Sequence, residues 1–224
     1  MKTFREIEDR AADRKGGSQA LDALMPDIGP ASALADIPDD RWLAGMARSV
    51  FQSGFSWKVI EKKWPGFEEA FLDFDPHAVA FWPDEEVEAL VHNAAIVRNM
   101  AKIKSVHQNA RFVCDLAAEH GSAGAFFANW SGAEQIGLWD VLKKRGARLG
   151  GMTGQYYLRQ MGYDGFVLGR DVVAALVDAG VVEKNPTSKR DLAAVQDAFN
   201  TWADETGYGY ARLSRIMGLS IDAG

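Results

Sequence analysis

The chain has 224 residues, 47% of them hydrophobic, enough to bury a substantial core in one large domain or in a domain with a small appendage. No run approaches the ~20 apolar residues of a membrane span, and the charged opening Met1-Lys2-Thr3-Phe4-Arg5-Glu6 has no apolar signal region, so a cytoplasmic protein is expected. A single cysteine, Cys114, excludes an internal disulfide or a multi-cysteine metal site, and a net charge of −6 argues against a uniformly phosphate-binding surface.

Residues 16–38 are rich in Gly, Pro, Ala and Ser, with Pro26, Gly29-Pro30 and Pro38 as breakers. This predicts an N-terminal extension, 1–38, of short helices and loops packed on the body. Leu43, Met46, Ala47, Val50 and Phe51 mark a helix that ends ahead of Gly54. Pro83 and Asp84 sit where a helix start is expected, with Glu85 and Glu86 in the dipole-favoured first turn, and the stripe Val87, Leu90, Val91, Ala94 extends it. Ile103, Val106, Ala110, Val113 and Ala117 repeat at helical spacing, and Gly121 follows as a stop. Gly180 to Pro186 reads as a connector. Pro186-Thr187-Ser188 then caps a last stripe of Leu192, Val195, Phe199 and Trp202. No stretch alternates β-branched residues between hairpin turns. The expected class is all-α, with a core over 39–185 containing a hairpin near 146–156, and a C-terminal helical segment 186–224 of the same domain.

Charge is segregated along the chain. Lys58, Lys62 and Lys63, then Arg98, Lys102 and Lys104, then Lys143, Lys144, Arg145 and Arg148 form basic groups, while Asp84, Glu85, Glu86 and Glu88 are acidic, so a basic face is permitted despite the net charge. In Gly150-Gly151-Met152-Thr153-Gly154 the glycines let backbone approach a phosphate, and N–H groups at a following helix start can bind it; an ordinary helix–helix turn would have the same composition. Lys143-Lys144-Arg145 immediately upstream favour phosphate contact through Gly150, Gly151 and Thr153. Asp171 opens the apolar helix Val172-Val173-Ala174-Ala175-Leu176, where an acid is common for local reasons. His77, His92, His107 and His120 read as surface or satisfied core residues, and Cys114 as buried and inert on the Ile103 helix.

Four segments in order carry a resemblance to a known family. Gln52-Ser53-Gly54-Phe55-Ser56-Trp57 resembles the Q-A-G-L-S-W signature of the DNA-3-methyladenine glycosylase I family. Lys62-Lys63, Phe67, Phe71, Phe74-Asp75-Pro76 and Val79-Ala80 extend the match. Ile96-Val97-Arg98, Lys102-Ile103 and Asn109-Ala110-Arg111 are similar to its I-I-R-x-x-x-K-I-x-x-x-x-N-A-R, and Leu142-Lys143-Lys144-Arg145-Gly146 to its L-K-K-R-G. A Gly-rich turn and a Tyr-bearing helix, Gly151 to Gly162, follow.

The resemblance implies a helix-hairpin-helix glycosylase-like fold of two helical lobes with a cleft between them. It also implies a monofunctional hydrolase that flips alkylated purines such as 3-methyladenine from double-stranded DNA and removes them in base-excision repair. Trp57 would stack on the base, with Ser49, Gln52, Ser56 and Tyr156 in the same pocket. Asp171 would be the carboxylate assisting water, although the simplest register with other superfamily members falls on Gly169. The hairpin stretch 151–156 has no lysine, which disfavours a Schiff-base lyase step. Two departures stand out. The family's zinc ligands come from both termini, where this chain has neither cysteine nor histidine, so no metal and no other cofactor is expected. The family's base-contacting glutamate lies eight residues before the signature tryptophan, and that position is Ser49, which carries no charge. An alternative is therefore a non-catalytic helix-hairpin-helix module binding damaged DNA. A monomer is expected, with no membrane partner.

Overall fold

The structure, a computed structural model, describes residues 1–221. Among them the chain forms helices and short 3-10 turns and no strand, as the periodicity predicts. In chain order the helices are α1 (Phe4–Lys15), α2 (Ser18–Asp22), α3 (Ser32–Ala35), α4 (Asp39–Gln52), α5 (Trp57–Ala70), α6 (Pro76–Ala80) and α7 (Asp84–Ala89). They continue with α8 (Met100–His120), α9 (Ala123–Ala128), α10 (Gln135–Arg145), α11 (Met152–Gln160), α12 (Arg170–Asp178), α13 (Lys189–Thr206) and α14 (Tyr210–Ser220). No helix among the described residues is long and apolar enough to cross a membrane.

The helices group into two units, each discontinuous in sequence. A terminal unit comprises Met1–Gly29, Ser131–Leu138 and Gly162–Gly224, and a central unit comprises Pro30–Trp130 and Trp139–Met161. The first 38 residues are thus divided, α1 and α2 belonging to one unit and α3 to the other.

In the terminal unit α14 packs against α1 and α12. Phe166 stacks on Phe199 at 4.2 Å between ring centroids, and Phe4 lies 5.8 Å from Trp202; all four rings are buried. The predicted Ser188 cap is present: its side chain accepts a hydrogen bond from Asp191 N at 3.1 Å.

The central unit is built on α8. Its stripe residues Ile103, Val106, Ala110 and Val113 are fully buried, and Gly121 ends the helix at φ 89°, donating its N–H to Ala117 O. The Phe74-Asp75-Pro76 segment is a helix start, in which Asp75 accepts from His77 N and Ala78 N and Pro76 occupies the first turn of α6.

The stripe Val87, Leu90, Val91, Ala94 is corrected: α7 stops at Ala89, only Val87 is buried, and Ala94 is exposed. The reason is a close approach further on. Ala95 backbone packs against Gly66 of α5, where a Cβ would sit 2.8 Å from Ala95 O, and Lys63 Nζ donates to Ala94 O at 2.7 Å. The chain must leave the helical path to reach that contact.

Candidate functional site

Two helical stripes of the central unit face one cavity. On α4, Arg41, Gly45, Arg48 and Gln52 recur at 4,3,4 spacing and so share a face, with Ser49 beside them; on α5, Trp57, Glu61 and Trp64 recur at 4,3 spacing. The residues of the two stripes, Ser49 apart, wall a cavity of about 470 Å³ with Ala44, Gln160 and Met161. A neighbouring space of about 200 Å³ shares Gln52, Trp57 and Gln160 with it and adds Ser49, Ser53, Gly54, Met152, Thr153 and Tyr156. Trp57 is 53% and Tyr156 42% exposed, so both rings are open to a ligand rather than packed in the core.

Gly45 marks where α11 and the residue after it come close to α4. A Cβ there would collide with Met161 Sδ and come within 3.3 Å of the Tyr157 ring. A glycine inside a helix costs roughly 0.5–1 kcal/mol, and here it leaves room for the Tyr157 ring and the Met161 side chain beside α4. Tyr157 itself is fully buried with an unpartnered hydroxyl, and burial pushes its pKa well up, so it serves the core behind the cavity.

The polar groups of the wall are wired in series. Ser49 Oγ donates to Gln160 Oε1 at 3.1 Å, Gln160 Nε2 to Gln52 Oε1 at 3.1 Å, and Gln52 Nε2 to Glu61 Oε1 at 3.2 Å. Ser49 and Gln52 are buried, whereas the Glu61 side chain is half exposed. Arg48 Nε stands 3.9 Å from the same Glu61 oxygen while its guanidinium lies over the Trp64 ring, 4.1 Å from the centroid. Trp64 in turn stacks on Phe74 at 5.3 Å. The cavity is therefore aromatic on α5, polar on α4 and α11, and anionic at Glu61.

The turn between α4 and α5 is fixed from below by Lys102. Its buried ammonium donates to Ser53 O at 2.6 Å and Phe51 O at 3.2 Å, filling carbonyls that the end of α4 leaves open. Burial, and secondarily Arg148, lowers the Lys102 pKa. Gly54 takes φ 69°, which a side chain would disfavour, and Ser56 caps α5 through its backbone, its carbonyl accepting from Val59 N and Ile60 N. Ser56 is not among the residues lining either space.

The expected hairpin is present between α10 and α11. Asn109, fully buried, clamps it by donating Nδ2 to Ala147 O at 3.1 Å and accepting from Ala147 N at 2.7 Å. Arg148 and Gly151 both take positive φ, 61° and 60°, and Gly154 lies against Leu149 O so closely that no side chain would fit. Gly150, Gly151 and Lys143 are exposed, and Thr153 lines the smaller space. Arg145 is held by Glu119 through two hydrogen bonds of 2.8 and 2.7 Å, which keep the Glu119 carboxyl below its ordinary range, and Lys144 pairs with Asp140 one turn back. Lys143 has no ion-pair partner among the described residues.

Asp171 lies in the first turn of α12, exposed, in the terminal unit; the residues that line the two spaces belong to the central unit. Cys114 is half-buried rather than in the core, with Sγ 3.7 Å from His77 Nδ1, and burial reinforced by Asp115, Asp39 and Asp75 pushes its thiol up, so it is held as the unreactive thiol. His107 is a satisfied core histidine, Nε2 lying 3.2 Å from Ala80 O. The donors present do not fit the zinc site that the resemblance implies: among the described residues no three His, Cys, Asp or Glu side chains gather closely enough to hold a metal. Glu61 was missed by motif reading. Its signal is the spacing of four from Trp57, which puts a carboxylate one turn along the same face.

An all-helical body with a clamped Gly-rich hairpin and an aromatic-walled cavity beside it is the helix-hairpin-helix DNA glycosylase fold. Over nearly its whole length the chain is similar in fold to the Methanocaldococcus jannaschii 8-oxoguanine glycosylase/lyase solved with DNA, at TM-score 0.57 and 12% identity over 95% of each chain. Residues 38–144, just under half of the chain, match the methyladenine glycosylase family model. It is 42% identical over 60 residues to DNA-3-methyladenine glycosylase 1 of Escherichia coli, an alignment covering 27% of this chain and 32% of that one. It is also similar to the Staphylococcus aureus 3-methyladenine DNA glycosylase I, at 26% identity and TM-score 0.50 over 57% of this chain and 78% of that one. The chain spans about a third of the length of the curated relatives it matches.

Proposed function

We propose that this protein is a monofunctional DNA glycosylase that flips alkylated purines such as 3-methyladenine out of duplex DNA and hydrolyses their glycosidic bond. The observation that carries the reading is the cavity walled by Trp57, Tyr156, Gln52 and Ser49, beside the hairpin residue Thr153. An extruded base stacks on the exposed Trp57 ring and meets the amides of Gln52 and Gln160 along its edge. Alkylation makes the base cationic and the bond already weak, so holding the base matters more than protonating it. The backbone N–H groups at Gly150 and Gly151, with Thr153 and Lys143, hold the phosphates without reading sequence; Lys144 and Arg145 contribute once their acidic partners yield. Asp171 is the carboxylate proposed to assist water at C1′, and no lysine in 151–156 supports a lyase step. The protein acts as a monomer without a metal or other cofactor. Glu61, which lines the larger space that shares Trp57, Gln52 and Gln160 with this one, favours this reading over a DNA-binding module without activity.

The test is direct. Purified protein incubated with methylated duplex DNA releases free 3-methyladenine, measured by chromatography of the ethanol-soluble fraction. Release of no alkylpurine at all, with binding to damaged duplex retained, would sink the enzyme and leave the module.

A further inference from the structure

Ser49 leaves the wall without an acid where the family's glutamate would stand, yet the cavity is not without one. Glu61 sits one helix away, on α5, and three observations tie it to the vacated position. It lines the same cavity as Trp57. It terminates the chain of donors that starts at Ser49 and passes through Gln160 and Gln52, so the serine hydroxyl and the carboxylate are ends of one network. Its hydrogen bond from Gln52 Nε2 at 3.2 Å falls on Oε1, where Arg48 Nε also stands closest at 3.9 Å, and Oε2 accepts no hydrogen bond among the described residues.

We infer that Glu61 is the base-reading carboxylate of this protein, the anion that selects a cationic purine over a neutral one, transferred from α4 to α5. The inference rests on the glycosylase reading of the cavity. An ionised carboxylate is an acceptor only, so it takes a hydrogen bond from the amino group of either base, and the cation alone adds charge attraction to that bond. Gln52 fixes the orientation of Glu61, and the exposed ring of Trp57, four residues before it on α5, supplies the flat surface. Arg48 is drawn off toward Trp64, which leaves the second carboxylate oxygen for the ligand.

Calorimetric titration of the whole chain with 3,9-dimethyladeninium, a fixed cation, and with neutral 9-methyladenine reads the preference without any excision. The wild-type chain should favour the cation about tenfold or more, the scale of one charge-assisted hydrogen bond. Glu61→Gln should erase the preference, whereas Glu69→Gln, which removes an equal charge from α5 outside the cavity, should keep it. No preference in the wild type, an unchanged preference in E61Q, or an equal loss in E69Q overturns the inference. Excision from methylated duplex is followed in parallel. A wild-type chain that prefers the cation but releases no base refutes the glycosylase reading while leaving the assignment of Glu61 standing. A chain that excises, with E61Q as active as wild type, does the reverse.

Discussion

Each unit buries glutamines, and the two sets are used differently. In the terminal unit Gln135 Nε2 donates to Phe166 O at 2.7 Å and its Oε1 accepts from Phe166 N at 2.8 Å. Gln196 accepts from Ile136 N and donates to Gly132 O and Asn200 Oδ1. These amides are staples, closed largely on backbone groups that would otherwise be unsatisfied. In the central unit Gln52 gives and receives hydrogen bonds through side chains, from Gln160 and to Glu61, and the line ends on a half-exposed carboxylate at a cavity. Burial and amide chemistry are similar in the two places. What separates structure from site is where the last hydrogen bond goes, into the backbone or toward a ligand.

The comparison can be broken most severely at Trp57. Trp57→Ala removes a ring already open to solvent, so the thermal midpoint should hardly move, while kcat/KM for alkylpurine release should fall about ten- to hundredfold, the worth of one stacked base. An equal loss of stability would show that the ring is core.

The glutamines test the contrast itself. Gln135→Ala strands the Phe166 N–H and C=O in a buried setting and should lower unfolding free energy by about 1–3 kcal/mol in urea titrations. Gln52→Ala should cost less stability and instead reduce base release, because its partners face a cavity that water can enter. A larger stability loss for Gln52 than for Gln135 would reverse the assignment of staple and site.

On the hairpin, Lys143→Ala should reduce the slope of log K against log salt for duplex binding by about 1. The smallest effect belongs to the surface of the terminal unit. Hydrogen bonds from Lys2 and then Arg10 hold the Asp178 carboxyl below its ordinary range. A depressed carboxylate stabilises above its unfolded value of about 3.9, and that contribution is lost as pH falls through the folded value. Asp178→Asn should therefore flatten the acid limb of the urea midpoint plotted against pH, with little change at neutral pH.

Where helices were legible, apolar spacing and punctuation agree. The α4 stripe stops ahead of Gly54, the α8 stripe stops at Gly121, and Ser188 caps α13. The α7 stripe misled because local periodicity contains no information on the approach of Ala95 to Gly66, which turns the chain away at residue 90. In the site, Trp57, Gln52, Ser49 and Tyr156 were legible from motif and position, and they do share a wall. Ser56 was drawn in by sequence adjacency, yet it lies at a helix cap and lines neither space.

By itself the sequence determined the helical class, the ends of α4 and α8, the hairpin and the aromatic side of the cavity, since each depends on neighbours within a turn or two of chain. Only the tertiary structure decided which faces meet. It joined α4 to α11 across Gly45, divided the N-terminal segment between two units, and set Glu61 at the end of a network begun at Ser49. Periodicity states that a helix has a face; what that face touches depends on packing between residues far apart in the chain, and there a single missing Cβ or one buried amide fixes the result.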